Sequence, residues 1–189
     1  MPRLPYKNRD EVPDEIRAAL DRQRERTGYE LNLSRMLAHS PDFYRGFWDI
    51  GGYLLGRSSL DPALRELAIL TVGHLAESAY EFEHHVAIGP RAGLTREQIE
   101  ALGDWGRSPS FDERQRAVIR YAWQVTERVH VADSVVDGVR AFLSDSEFFD
   151  LVATVAFYNL VVRVLEPLQI ELEPYLTPSP SLKGRKPSH

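Results

Sequence analysis

No cysteine occurs among the 189 residues, which removes disulfides, thiolate metal sites, iron–sulfur clusters and cysteine nucleophiles together. An excess of basic charge is missing as well. With 23 Lys and Arg against 28 Asp and Glu, the formal net charge is -5, and neither nucleic acid nor a membrane is an expected partner. The opening residues Met1-Pro2-Arg3-Leu4-Pro5-Tyr6-Lys7 lack an apolar signal core. No apolar run is read as reaching the roughly 20 residues that span a bilayer. A cytoplasmic protein is the expectation. Strand signals are scarce, so an all-helical fold follows.

What is present supports one compact domain. Apolar residues make up 43% of the chain, enough for a real core. Residues 1–12 read as an extended N-terminal arm, residues 13–176 as the helical domain, and the polar, proline-rich residues 177–189 as a disordered tail. Helix starts are marked in two ways. Pro13, Pro41 and Pro62 stand where a first-turn proline loses no hydrogen bond. Thr95 with Gln98, Ser110 with Glu113 and Ser144 with Glu147 have the spacing of capping boxes. These signals predict seven or eight helices. The last, about Asp145 to Leu165, is apolar around much of its circumference and calls for burial on several sides, within the domain or between subunits. A homo-oligomer is therefore expected.

The informative stretch is Leu60 to Leu94. Glu66 sits among Leu64, Leu67, Ala68, Ile69 and Leu70, and has two readings: a solvent-facing carboxylate, or a partly buried one that needs a partner. Ser78, Glu81 and His85 follow at steps of three and four and share one helical face. They too have two readings, because Ser78 with Glu81 is also a capping box that an inert helix start would carry. In one continuous helix, Glu66 and Glu81 would lie about 22 Å apart. A break near Gly73-His74 and a fold-back at Ser78 would bring them together. His84 and His85 point about 100° apart, and His85 is the better companion for Glu81. A metal site of His74, Glu81 and His85 fits no familiar ligand spacing. Pro90 is expected to end its helix near Ile88.

Arg65-Glu66-Leu67-Ala68-Ile69-Leu70, Tyr80-Glu81-Phe82-Glu83-His84-His85 and Gly93-Leu94 together resemble the carboxymuconolactone decarboxylase and alkylhydroperoxidase D family. The close match covers about 35 residues, with a looser likeness to longer members around Asn32 to Pro41. The resemblance implies an all-α, alkylhydroperoxidase D-like fold and a homo-oligomer, trimer or hexamer, with a dimer as the alternative. The peroxidase branch places a glutamate, a Cys-x-x-Cys pair and a histidine on Glu66, Ser78, Glu81 and His85. Both sulfurs are missing here, so thiol peroxidase chemistry is excluded. The decarboxylase branch implies cofactor-free loss of carbon dioxide from a small carboxylated lactone, followed by protonation of a dienolate.

On that resemblance Glu66, Glu81 and His85 are the candidate catalytic residues, and Ser78, Tyr80 and Phe82 the candidate substrate-binding ones. His85 would donate the proton, Glu66 or Glu81 would orient it, and Tyr80 would address the developing oxyanion. No metal or cofactor is implied; the partner is a small carboxylic acid or lactone. Arg35, Arg65 and Arg163 are candidate carboxylate anchors. Phe82 in place of the family tryptophan, Gly89-Pro90, and Trp123 where longer relatives carry an acid are departures that would reshape the pocket wall. A dehydratase, hydrolase or cyclase using the same groups, and a non-catalytic helical binding or assembly protein, stand as alternatives.

Overall fold

The computed structural model describes residues 1–176, apart from the side chains of Arg26 and Thr27. Among the described residues there are nine α-helices: α1 (Asp14–Thr27), α2 (Asn32–Leu37), α3 (Pro41–Gly56), α4 (Pro62–Leu75), α5 (Ala79–Ala92), α6 (Arg96–Ala101), α7 (Glu113–Arg128), α8 (Asp133–Arg140) and α9 (Asp145–Leu168). The short α2 and α8 carry the count past the expected seven or eight. No strand occurs among the described residues.

The helix starts follow local chemistry. Pro41 and Pro62 occupy the first turns of α3 and α4, while Pro13 stands one residue ahead of α1. The capping boxes at Thr95 and Ser144 form as expected. That at Ser110 does not. Asp112 caps α7 instead, exchanging hydrogen bonds with Gln115, while the Ser110 carbonyl accepts from the Gln98 side chain. Pro90 also fails to stop its helix, which runs on to Ala92 and closes on Gly93 in the left-handed region (φ 103°). The residue ahead of Pro90 is Gly89, which has no Cβ for the pyrrolidine ring to strike.

Helix α4 is the axis of the molecule. Every residue from Leu64 to Gly73 is buried, because α5, α7 and α9 pack around it. An apolar cluster of Leu67, Leu70, Phe82, Leu94, Ile99 and Ile119 lies on one side, and the larger core of α1, α2, α3, α7, α8 and α9 on the other. By length and composition alone α9 is apolar enough to cross a membrane, contrary to the reading that no run is; half of that stretch is buried inside the domain. Its outward residues Phe149 (68%) and Leu160 (40%) stay exposed in the single chain. The first residues lie along the domain's end, with the Arg3 N–H bonded to the Leu168 carbonyl and the Tyr6 hydroxyl accepting from the Glu171 N–H. Residues 177–189, expected as a disordered tail, lie outside the described residues.

Candidate active site

The α4–α5 turn decides where the carboxylates go. Glu77 adopts a left-handed conformation (φ 51°), and the Ser78 N–H bonds back to the Gly73 carbonyl (3.0 Å) as the Glu77 N–H bonds to that of His74 (3.2 Å). This paired closure of a helix C-terminus consumes the Ser78 N–H. Glu81 therefore has no donor at Ser78 to reach for, and the capping box written in the sequence does not form: Ser78 makes no side-chain cap, and its buried hydroxyl has no hydrogen-bond partner. Gly73 lets the helices close up, since a Cβ there would stand 3.3 Å from the Phe82 backbone nitrogen. Folded back in this way, α5 lays His85 against Glu66.

Four charged groups meet there. His85 Nδ1 lies 2.6 Å from Glu66 Oε2, and His85 Nε2 lies 3.1 Å from Glu81 Oε1. Arg65 Nε lies 3.3 Å from the other Glu66 oxygen. All four residues are buried. Burial pulls the imidazole toward its neutral form, but hydrogen bonding to Glu66 and Glu81 and their negative charges outweigh it and raise the His85 pKa to about 10. The ring is an imidazolium at neutral pH, and with Arg65 it balances both carboxylates. Tyr158 of α9 sets its ring edge-on to His85 at 5.1 Å. Burial, with the Glu81 and Glu66 charges, pushes its phenol well above the ordinary value, so it keeps its proton and remains a donor.

Glu81, His85 and Tyr158 open onto a cavity of about 510 Å³ between α3, α5, α9 and the segment after α9. Its wall is mainly apolar and aromatic, with Leu33, Phe47, Trp48, Ile88, Phe157 and Val161 among the contributors. A second carboxylate centre holds one side of it. Tyr80 donates to Glu173 Oε1 (2.6 Å), His84 Nε2 lies 2.7 Å from Glu173 Oε2, and the Asn32 N–H donates to Glu173 Oε1 (2.7 Å). This ties the segment carrying Tyr175 and Leu176 against α2 and α5, where both residues line the cavity.

The residues singled out from the sequence thus divide. Glu66, Glu81 and His85 come together. Tyr80 reaches the cavity with its ring, but its hydroxyl is committed to Glu173 and to the Leu33 N–H (3.2 Å), so it is not placed to meet an oxyanion. Ser78 and Phe82 are fully buried and line no part of the cavity, Phe82 because it packs under α4 beside Leu67 and Leu70. His74 lies against the Phe82 ring, and among the described residues no group of three His, Asp or Glu is arranged to hold a metal ion. None of the three expected anchors lines the cavity either. Arg35 is held by the Lys7 carbonyl, Asn8 and the Tyr6 ring, Arg65 by Glu66, and Arg163 by Asn159. Arg91 lines it instead. Sequence reasoning passed over Arg91, Tyr158, Trp48 and Glu173. Of these, Tyr158 left a trace, as a polar-tipped residue inside an apolar helix.

In this all-helical domain one buried imidazole is shared by two glutamates beneath an apolar cavity. Residues 41–124 match the carboxymuconolactone decarboxylase family. Over that stretch the chain resembles the family, and its fold is that of the alkylhydroperoxidase D-like structures. Its fold is shared with an uncharacterized peroxidase-related protein of Ralstonia eutropha JMP134, an alkylhydroperoxidase AhpD core (TM-score 0.80, 23% identity, covering 92% of this chain and 93% of that one). An uncharacterized peroxidase-related protein of Silicibacter sp. TM1040 is similar (TM-score 0.77, 20% identity, 86% and 87%). So is a variant of the debrominase Bmp8 in complex with 2,3,4-tribromopyrrole (TM-score 0.77, 15% identity, 92% and 95%). No curated protein matches the chain.

Proposed function

We propose that the protein is an acid–base enzyme of the carboxy-lyase type, removing carbon dioxide from a carboxylated lactone or similar acid without a cofactor. The observation that carries this reading is the His85 imidazolium clamped between Glu66 and Glu81 at the inner wall of an apolar cavity. In such a reaction the bond to the carboxylate carbon breaks, carbon dioxide leaves, and the electron pair enters the conjugated carbonyl as a dienolate. Tyr158 is the donor placed to receive charge on oxygen. His85 then transfers its proton to carbon and recovers one from solvent through Glu81, so each turnover consumes one proton and releases one carbon dioxide. A donor held near pKa 10 suits a strongly basic carbanion better than it suits a weakly basic oxygen. Glu66, fixed by Arg65, keeps the ring oriented.

The same groups serve a dehydratase, hydrolase or cyclase step, and mass separates these reactions. Incubation of a panel of carboxylated lactones and unsaturated acids in deuterated buffer is expected to give a product that has lost carbon dioxide and gained one deuteron at carbon, with His85→Asn inactive. A product of unchanged mass, or one lacking water, would replace the carboxy-lyase reading. In this proposal the enzyme works as a homo-oligomer, and exposed Phe149 and Leu160 on α9 supply an apolar face for a second copy.

A further inference from the structure

We infer that the ligand of this site is an elongated aromatic anion of at least two rings, its reacting end, with the carboxylate that leaves, at Glu81 and His85 and a second anionic group on Arg91. The inference names the substrate class for the acid–base reading above and rests on it for the reacting end alone. Size is the first argument. A cavity of about 510 Å³ lies within the range of sites that enclose drug-sized molecules, whereas a one-ring lactone acid would leave most of it empty. Shape is the second. Tyr80, His84, Ile88 and Arg91 form one stripe along α5, all lining the cavity. Arg91 lies six residues beyond His85, a rise of about 9 Å along the helix, more than one ring spans. Because side chains lean toward the helix N-terminus, the guanidinium inclines back over the cavity.

Charge and hydrogen bonding give the third argument. Arg91 is exposed at the rim, and no carboxylate lies within ion-pair distance of it among the described residues. Trp48 lines the wall with its ring. Arg91 and Tyr158 are both donors. A ligand that satisfies them brings acceptor oxygens, and its body meets Phe47, Phe157 and Trp48, whose rings favour an aromatic partner.

Titration calorimetry of the full chain with naphthoate, benzoate and the uncharged acetylnaphthalene tests this directly. Naphthoate is expected to bind at least about tenfold more tightly than benzoate, and Arg91→Gln to weaken naphthoate about tenfold while leaving acetylnaphthalene unchanged. Naphthoate should also quench Trp48 fluorescence, a signal lost in Trp48→Phe; Trp105 and Trp123, 6.3 Å apart, do not line the cavity. Equal affinity for benzoate would overturn the size argument, and indifference to Arg91→Gln would overturn the anchor. Repeating the titration with Glu81→Gln separates the two proposals. Retained binding in that variant supports the ligand class whether or not the acid–base chemistry holds, and no binding of naphthoate to either protein would overturn the ligand class alone.

Discussion

Two buried carboxylate centres, Asp150 on α9 and the pair of Glu66 on α4 and Glu81 on α5, are built on contrary principles. Asp150 on α9 accepts from the Tyr53 hydroxyl (2.7 Å), the Ser58 hydroxyl (3.0 Å), and the Ser59 N–H (2.6 Å) and hydroxyl (2.7 Å). Although burial works against the charge, these neutral donors hold the carboxyl below its ordinary range. The group is fully satisfied; it pins the α3–α4 connection to α9. Glu66 and Glu81 have no such abundance. Their oxygens share one Arg65 nitrogen and the two nitrogens of His85, and Glu81 Oε1 lacks a well-aligned hydrogen bond. A satisfied carboxylate fixes structure. One left to share a proton beside a cavity is equipped for chemistry.

Substitutions can break this contrast, beginning with turnover. Glu81→Gln is expected to lower the rate on the order of a thousandfold while the fold persists, measured by initial rates beside a thermal melt. Asp150→Asn should do the reverse, costing about 3 kcal/mol in urea unfolding with turnover per folded molecule unchanged. If both variants lose activity and stability in step, the division is wrong. The pH dependence sharpens it further. His85 has a folded pKa of about 10 against an ordinary 6.5, so its contribution is complete below pH 6.5 and is lost as pH rises through 10. Between pH 7 and pH 9 the wild type should lose about 2 kcal/mol that His85→Gln does not. Asp150 has the opposite sign: its contribution is present above its unfolded pKa and lost as acid protonates it.

The smallest effects concern caps. Thr95→Ala should cost about 1 kcal/mol, because its hydroxyl accepts the Gln98 N–H in a working box. Ser78→Ala should cost almost nothing, because that hydroxyl caps no helix and has no hydrogen-bond partner. A comparable loss at both positions would restore the capping role of Ser78.

Much of this was legible in the sequence, and the residues show where legibility ends. The helical fold, the starts at Pro41, Pro62, Thr95 and Ser144, and the fold-back joining Glu66 to His85 follow from spacing and local capping. What escaped was decided between elements. Ser78 with Glu81 is a good capping box by local rules, yet the preceding helix takes the Ser78 N–H first. Asp112 displaced Ser110, whose N–H is already taken by the Ser108 hydroxyl and whose carbonyl is held by Gln98 from another helix. Pro90 was tolerated because its neighbour is glycine. The Tyr80 hydroxyl was claimed by Glu173, 93 residues away, a pairing that no local period encodes. Arg91 was overlooked because only the packing of α3 and α9 makes its face of α5 a cavity wall. Phe82 resembled a substrate contact by position, and the depth of α4 turned it into core.

The ring nitrogens of His85, followed by NMR in histidine-labelled protein across the alkaline range, test the central claim most directly. The clamped arrangement predicts that both nitrogens carry protons at pH 7, that deprotonation begins only as pH approaches 10, and that Glu81→Gln lowers the midpoint. A single neutral tautomer titrating near 6.5, unmoved by Glu81→Gln, would contradict it.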